Sequence, residues 1–332
     1  MRVLLIKTSS LGDVVHTLPA LTDAMRAIDG IAFDWIVEEG FAEIPALHPA
    51  VDQVIPVAIR RWRKNLLKTW FSGEWKAFKK RVKTADYDLV IDAQGLLKSA
   101  WLTRYNSAPI AGFDDKCARE PLASSFYDRK YFVDKNQHAV ERVRQLFAQA
   151  LGYPLAQTLG DYALSRDSFI EKEAEPYLVF LHGTTWKSKH WPEAFWRELA
   201  EKVHAQGYAI HLPWGNEVER TRAERIAKDL PKAHVLPRLS LSGMAAQIAS
   251  ATACVAVDTG LGHLAAALDV PCISLYGPTL PGKVGAYGKG QVHLCATGDY
   301  AGKGNRQIPC FDSLTPAVVL PVLDQILTSK ES

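Results

Sequence analysis

The chain has 332 residues, 39 Lys or Arg against 36 Asp or Glu, a formal net charge of +3, and 48% hydrophobic residues. That size and apolar content support large buried cores in two domains, while the near-even charge argues against a nucleic-acid partner. No apolar run approaches the roughly 18–20 residues needed to cross a bilayer, and the opening MRVLLIKTSS has neither the apolar length nor the cleavage site of a secretory signal.

Arg2–Lys7 reads as a buried strand, followed by the turn TSSLGD and a helix over 14–28. Further strands are expected at Phe33–Glu38, Gln53–Val57, Leu89–Asp92 and Tyr131–Val133, with helices at 40–47, 65–84, 95–105 and 138–150. The second half repeats the alternation, with strands at Tyr177–His182, Tyr208–Pro213, Ala253–Asp258 and Cys272–Tyr276. Its helices fall at 193–206, 217–229, 241–250 and 261–268. Strands alternating with helices predict parallel sheets wound by right-handed crossovers, hence an α/β chain of two doubly wound, Rossmann-like domains facing a central cleft. The polar stretch 152–176 is the expected hinge, dividing the chain into domains 1–165 and 166–332. A last helix opens at Thr315-Pro316 and is free to pack back on the first domain. The five cysteines form no CxxC pair, so disulfides and structural zinc are not expected, and a reducing cytoplasm fits.

Charge is distributed unevenly. Residues 60–83 hold ten Lys or Arg and one acid, leaving 29 bases and 35 acids elsewhere. The segment also carries Trp62, Trp70, Phe71, Trp75 and Phe78. A solvated amphipathic helix has this composition. The arginine cluster with aromatics after it also suits an anionic, partly apolar partner such as a lipid head group or membrane surface.

Three motifs fall at strand carboxyl ends, where α/β folds place ligand-contacting groups. KTSSLGD sets Asp13 at or beside the amino end of a helix; HGTTWKSKHWP follows the first strand of the second half; DTGLGH joins a later strand to a helix. The Asp258-Thr259-Gly260 turn, with its outward amides and the helix dipole, is a seat for phosphate, although Asp258 or Thr259 there also suits an ordinary cap. The lone DxD, Asp86-Tyr87-Asp88, precedes a strand and reads as a turn, so no metal site is expected.

With these residues in hand, the chain resembles the lipopolysaccharide heptosyltransferases. The resemblance spans nearly its whole length: KTSSLGDVVHTLPAL, DWIVEEGF, VIPVAIRRWRK, VIDAQGLLKSA, AREPLASSFYDRK, QHAVERVRQLFAQALGY, LHGTTWKSKHWPEAFWREL, LPWGNEVER and VDTGLGHLAAAL. RRWRK and AREPLAS are the more specific segments. The resemblance implies a GT-B fold and inverting transfer of L-glycero-D-manno-heptose from ADP-heptose to Kdo-lipid A, on the cytoplasmic face of the inner membrane.

It further implies roles for particular residues. Asp13 matches the family's base and Lys189 the lysine that meets charge on the departing ADP, with Lys187 as a near neighbour. Thr184, Thr185, Thr259 and Gly260 would help at the phosphates, Glu219 at the ribose, Leu239 against adenine, Asp258 on sugar hydroxyls and His263 nearby. Arg60, Arg61, Arg63, Lys64 and Arg119 match the acceptor-binding bases, with Ser10 and His138 on the same side. No cofactor or metal is implied. Heptosyltransferase II, another ADP-sugar transferase, a nucleotide-sugar epimerase and a non-catalytic lipid-A-binding protein are the alternatives.

Overall fold

A computed structural model of the protein describes residues 1–64, 72–170, 175–298 and 311–328. The chain divides into two compact units, residues 1–163 and 164–332.

The first unit is one parallel sheet of β1 (Arg2–Ile6), β2 (Ala32–Glu38), β3 (Val51–Val57), β4 (Leu89–Asp92), β5 (Ile110–Phe113) and β6 (Arg129–Tyr131), in the order β3-β2-β1-β4-β5-β6. Its central strands are continuous apolar runs because helices cover both faces. On one face lie α1 (Leu11–Val15), α2 (Leu18–Ala27) and α6 (Ala139–Leu151), with Phe147 of α6 against Phe33. The other face carries α3 (Ile59–Lys64), α4 (Glu74–Thr84) and α5 (Leu97–Thr103), where Trp62, Phe78 and Val82 pack on Ile36, Ile55 and Val90. His138 caps α6 by accepting the Val140 amide, and Gly152, at φ 77°, ends it in the left-handed region that glycine tolerates. Arg144 of α6 is fully buried and donates to Asp23, Glu141 and the carbonyls of Ala156 and Thr158, tying the following stretch to this unit. In β5, a Cβ at Gly112 would lie 2.4 Å from the Tyr127 ring, so only glycine admits that ring over the strand.

The second unit repeats the winding with β7 (Tyr177–Leu181), β8 (Ala209–Leu212), β9 (Ala233–Val235), β10 (Ala253–Val257), β11 (Cys272–Tyr276) and β12 (Gln291–Cys295), ordered β12-β11-β10-β7-β8-β9. Its helices are α7 (Glu193–Ala205), α8 (Glu217–Ala227), α9 (Leu241–Ser250), α10 (Gly260–Ala267), the short α11 (Pro281–Val284) and α12 (Pro316–Thr328). Asn216 caps α8 and Ser240 caps α9 through their side chains. The last helix joins this unit's own core through Val319, Leu323 and Leu327, alongside Trp191, Trp196 and Leu275.

The structure differs from the sequence reading at several elements. Residues 40–47 form two 3₁₀ turns, Glu39–Phe41 and Pro45–Leu47, and not an α-helix. The helix expected over 65–84 begins at Glu74, after Gly73 in the left-handed region; residues 65–71, with Trp70 and Phe71, lie outside the described part. The last strand of the first sheet is Arg129–Tyr131, two residues earlier than expected. Strands β5, β9 and β12 are additional. The last two of these are short sheet edges with exposed positions, so they carry no buried apolar run to read.

Buried His48 links α2 to the start of β3: its Nδ1 accepts the Ala50 amide at 3.1 Å and its Nε2 faces the Thr22 hydroxyl at 2.9 Å. An acceptor Nδ1 requires the neutral ring, and burial pulls its pKa to about 4, with Asp161 opposing. The unfolded chain, with a histidine near 6.5, binds more protons between these values, so stability falls as pH drops through that window. Unfolding in urea should show a loss of about 2 kcal/mol from this residue between pH 7 and pH 5. His48→Asn, which cannot titrate, should lack that part of the pH dependence.

Candidate active site

In each sheet the winding reverses once, between β1 and β4 and between β7 and β10. Loops leave the carboxyl ends of those strands in opposite directions, opening a crevice where α/β folds bind ligands. Both crevices are lined by the motifs singled out from the sequence.

In the first unit, β1 runs into Lys7, Thr8 and Ser9, all buried. Lys7 Nζ donates to the Ala93 carbonyl at 2.9 Å, and Gln94 Oε1 accepts the amides of Thr8 and Ser9 at 3.0 and 3.2 Å. Burial lowers the Lys7 pKa, with Asp13 and Asp92 opposing. Beneath them Asp92, without solvent exposure, accepts from the amides of Gln94 and Gly95, the Ser99 hydroxyl and the Tyr127 hydroxyl. Ser10 is the cap of α1, and Asp13 stands three residues on. Asp13 Oδ2 accepts the Ser10 amide at 2.7 Å and its hydroxyl at 3.1 Å, the acid half of a capping box. Asp13 therefore holds the loop in shape while its half-exposed carboxylate stays at the crevice mouth.

Around it stand cations. Lys98, on α5, reaches the Ser9 hydroxyl at 3.2 Å; partial burial of its ammonium lowers its pKa, as does the nearby Arg60 charge, with Glu38 opposing. Arg119 is exposed on a loop pinned to the β4 end. There the Glu120 amide donates to the Gly95 carbonyl and the Glu120 carboxylate accepts the Leu97 amide at 2.6 Å. Gly95 is at φ 66°, and a Cβ there would come 3.3 Å from the Arg119 amide nitrogen. Arg60 is exposed, its guanidinium over Phe41 at 5.7 Å, and Arg63 and Lys64 are exposed on α3.

Arg61 differs from its neighbours. Its guanidinium, itself exposed, forks onto Glu39 and onto Glu74 at 2.9–3.2 Å in surface ion pairs. Of the segment's described aromatics, Trp62 and Phe78 are buried and Trp75 is partly so. Trp62 donates to Glu74, Trp75 packs edge-on against it at 5.3 Å, and Phe78 is buried. Phe78 is thus taken up by the core, and Trp75 packs on it with part of its ring still accessible. His138, besides capping α6, sets its ring edge-on to His16 at 5.3 Å. At the opposite end of the sheet, the DxD serves structure: Asp88 accepts the Arg2 amide at 2.7 Å.

In the second unit, Asp258 leaves β10 and is nearly buried. Its Oδ2 pairs with Lys189 Nζ at 2.6 Å and accepts the Thr279 hydroxyl at 2.6 Å, while its carbonyl accepts the Thr184 hydroxyl at 3.0 Å. The Lys189 ammonium also sits 4.4 Å over the Trp186 ring. Lys187 and Thr185 are exposed, so geometry separates Lys189 from its neighbour. Thr259 caps α10 with extended backbone, Gly260 opens the helix, and His263 is buried one turn on. At the β8 end, Glu219 in the first turn of α8 accepts the Gly215 amide at 2.7 Å. A Cβ on Gly183 would lie 2.9 Å from the Glu219 carboxyl carbon, so glycine lets this acid reach across to the β7 end. Leu239, half-buried, precedes α9 and lies against Gly243. Sequence reasoning missed Lys7, Gln94, Lys98 and Thr279; all four lie within a few residues of a strand's carboxyl end, which was the available signal.

The family model described as glycosyltransferase family 9 (heptosyltransferase) matches residues 75–310. The chain is 69% identical over 296 residues to lipopolysaccharide heptosyltransferase 1 of Pseudomonas aeruginosa, covering 89% of this chain and 83% of that one. The solved structure of E. coli heptosyltransferase WaaC with ADP is 52% identical with a TM-score of 0.91, covering 98% of this chain and all of that one. The same enzyme with ADP-2-deoxy-2-fluoro heptose is 51% identical with a TM-score of 0.88, covering 98% of this chain and 99% of that one.

Gln94 is the one side chain that satisfies two buried amides of the β1 loop. Gln94→Ala should destabilise the protein by about 2–6 kcal/mol, since each of the two buried amides left unpaired costs about 1–3 kcal/mol. Hydrogen exchange should locate the damage at the Thr8 and Ser9 amides.

Proposed function

Since the chain belongs to glycosyltransferase family 9, the heptosyltransferases, we propose that it moves L-glycero-D-manno-heptose from ADP-heptose to Kdo-lipid A. Heptosyl transfer in lipopolysaccharide core synthesis is the activity its relatives are named for, and the two-sheet architecture is that of the GT-B glycosyltransferases. The observation that best supports the reading of the site is the cluster of Lys189, Asp258 and Thr279 at the reversal of the second sheet, beside the amino end of α10. An ammonium and a helix amino end converge where a diphosphate would leave.

On this reading the second unit holds the donor. Lys189, the Thr184 and Thr185 hydroxyls and the amides at Thr259 and Gly260 take the diphosphate; Asp258 positions Lys189 and meets sugar hydroxyls. Glu219 takes the ribose, Leu239 lies against adenine, and His263 lines the phosphate side. The first unit presents the acceptor. Arg60, Arg63, Lys64, Arg119 and Lys98 suit its phosphates and Kdo carboxylates, with Ser10 and His138 alongside, and Arg61 serves by bracing α3 against α4. The acceptor hydroxyl attacks the anomeric carbon from the face opposite ADP, the bond to the β-phosphate oxygen breaks, and Asp13 takes the hydroxyl proton. A new glycosidic bond of inverted configuration and free ADP result. Charge arising on ADP is met by Lys189 and the helix end, so the reading assigns no step to a metal. Work at the cytoplasmic face of the inner membrane follows from the acceptor's lipid.

Release of ADP should depend on both ADP-heptose and Kdo-lipid A. Asp13→Ala should slow turnover by about 10²–10⁴-fold while ADP-heptose affinity, by calorimetry, stays within a few fold. Near-normal kcat would return Asp13 to loop capping alone. Lys189→Ala should both weaken ADP-heptose binding and lower kcat, with parent turnover unchanged in EDTA-stripped buffer; a strict demand for added Mg²⁺ would overturn the assignment of leaving-group charge to Lys189.

A further inference from the structure

We propose that the chain meets an anionic lipid bilayer through an apolar strip on its first unit, formed by Leu97, Trp101 and Leu122 and rimmed by cations. This deepens the functional reading above and rests on it for the membrane setting of the acceptor. Leu97 and Trp101 lie four residues apart on α5 and so share one face; they are 40% and 47% exposed. Leu122, 70% exposed, stands in the 3₁₀ turn Pro121–Phe126, which packs on α5 through Ala100 and Ala123. Phe126 of that turn meets the Trp101 ring edge-on at 6.5 Å, joining the two elements into one surface. Its inner side is core and its outer side is apolar and open.

The rim selects the partner. The Arg104 guanidinium lies 4.4 Å over the Trp101 ring, and Arg119, Arg129 and Lys130 are exposed just before or after the turn Pro121–Phe126. The two acids flanking the turn are tied to backbone: the Glu120 carboxylate accepts the Leu97 amide, and that of Asp128 accepts the Ile110 amide. Four exposed cations thus stand around apolar side chains while the neighbouring acids are held by backbone. The Trp101 indole N–H, bonded to the Tyr105 hydroxyl, gives the ring a polar edge, as suits a membrane interface. The strip also begins at the candidate site, since Lys98, next to Leu97, reaches the Ser9 hydroxyl. A lipid-borne acceptor would thus lie in the bilayer beside the crevice that takes its sugars.

The test combines Leu97→Ser, Trp101→Ser and Leu122→Ser, all exposed positions, in one variant. Its thermal midpoint, and its turnover of a delipidated acceptor, should match the parent. The parent should co-sediment with phosphatidylglycerol/phosphatidylethanolamine vesicles, less with phosphatidylcholine, and less at high salt. The variant should partition at least tenfold more weakly into the anionic vesicles, on the order of the loss expected for removing even one buried apolar side chain. Equal partitioning of variant and parent, or a parent that ignores anionic vesicles, overturns the proposal. So does loss of binding on Arg63→Gln with Lys64→Gln alone, which would move the contact to α3. A parent dimer that dissociates in the variant, with vesicle binding unchanged, would give the strip to a second copy of the chain. If no protein turns over ADP-heptose, the functional reading fails while the vesicle comparison still decides the strip.

Discussion

The first unit's chemistry hangs on a carboxylate that never meets water. Asp92 receives four hydrogen bonds, from two backbone amides, a serine and a tyrosine. Burial pushes its pKa up and these donors pull it down. By fixing the Gln94 amide it places the side chain that holds the Thr8 and Ser9 amides, and the next residue, Ser10, shapes the turn carrying Asp13. Three links thus run from the middle of the sheet to a half-exposed carboxylate at its edge. On the proposed reading, Asp13 as base would gain its effect from position, because its reach to a hydroxyl is set by groups that cannot relax.

The second unit solves a different electrostatic problem. It holds an ammonium at the strand ends, pairing Lys189 with Asp258 and seating it over Trp186, and on the proposed reading that charge awaits a diphosphate. The Asp258 carboxylate stays satisfied through Thr279 if Lys189 turns toward an incoming anion. In the first unit the cations divide the other way: Arg61 pairs with Glu39 and Glu74, which fixes α3, and its neighbours are left to solvent or ligand.

What was legible in the sequence follows from what each signal measures. VLLI, YLVFL and ACVAV announced central parallel strands because both faces are covered, whereas the edge strand β12 alternates exposed and half-buried residues. Asp13 and Asp258 fall in motifs legible at strand ends, whereas roles for Asp13, Lys189 and Glu219 were implied only by the family resemblance. Their partners were hidden because Gln94 lies some 86 residues from the amides it holds, and Gly183 matters only through Glu219 far along the chain. Trp62, Trp75 and Phe78 were hard to place because a charged amphipathic run looks alike whether its apolar stripe faces lipid or core. Trp75, Phe78 and Val82 follow helical spacing, and the sheet beneath them claims that stripe.

The glycine at 112 carries a consequence for how this sequence is able to drift. Its missing Cβ admits the Tyr127 ring, and the Tyr127 hydroxyl is one of the four donors on Asp92. Any residue larger than glycine at 112 would have to wait for a smaller one at 127, and a smaller one at 127 would strip Asp92 of a donor. The three positions are therefore locked into a single heritable unit, whose members change together or stay as they are, whatever substrate the surface around them comes to serve.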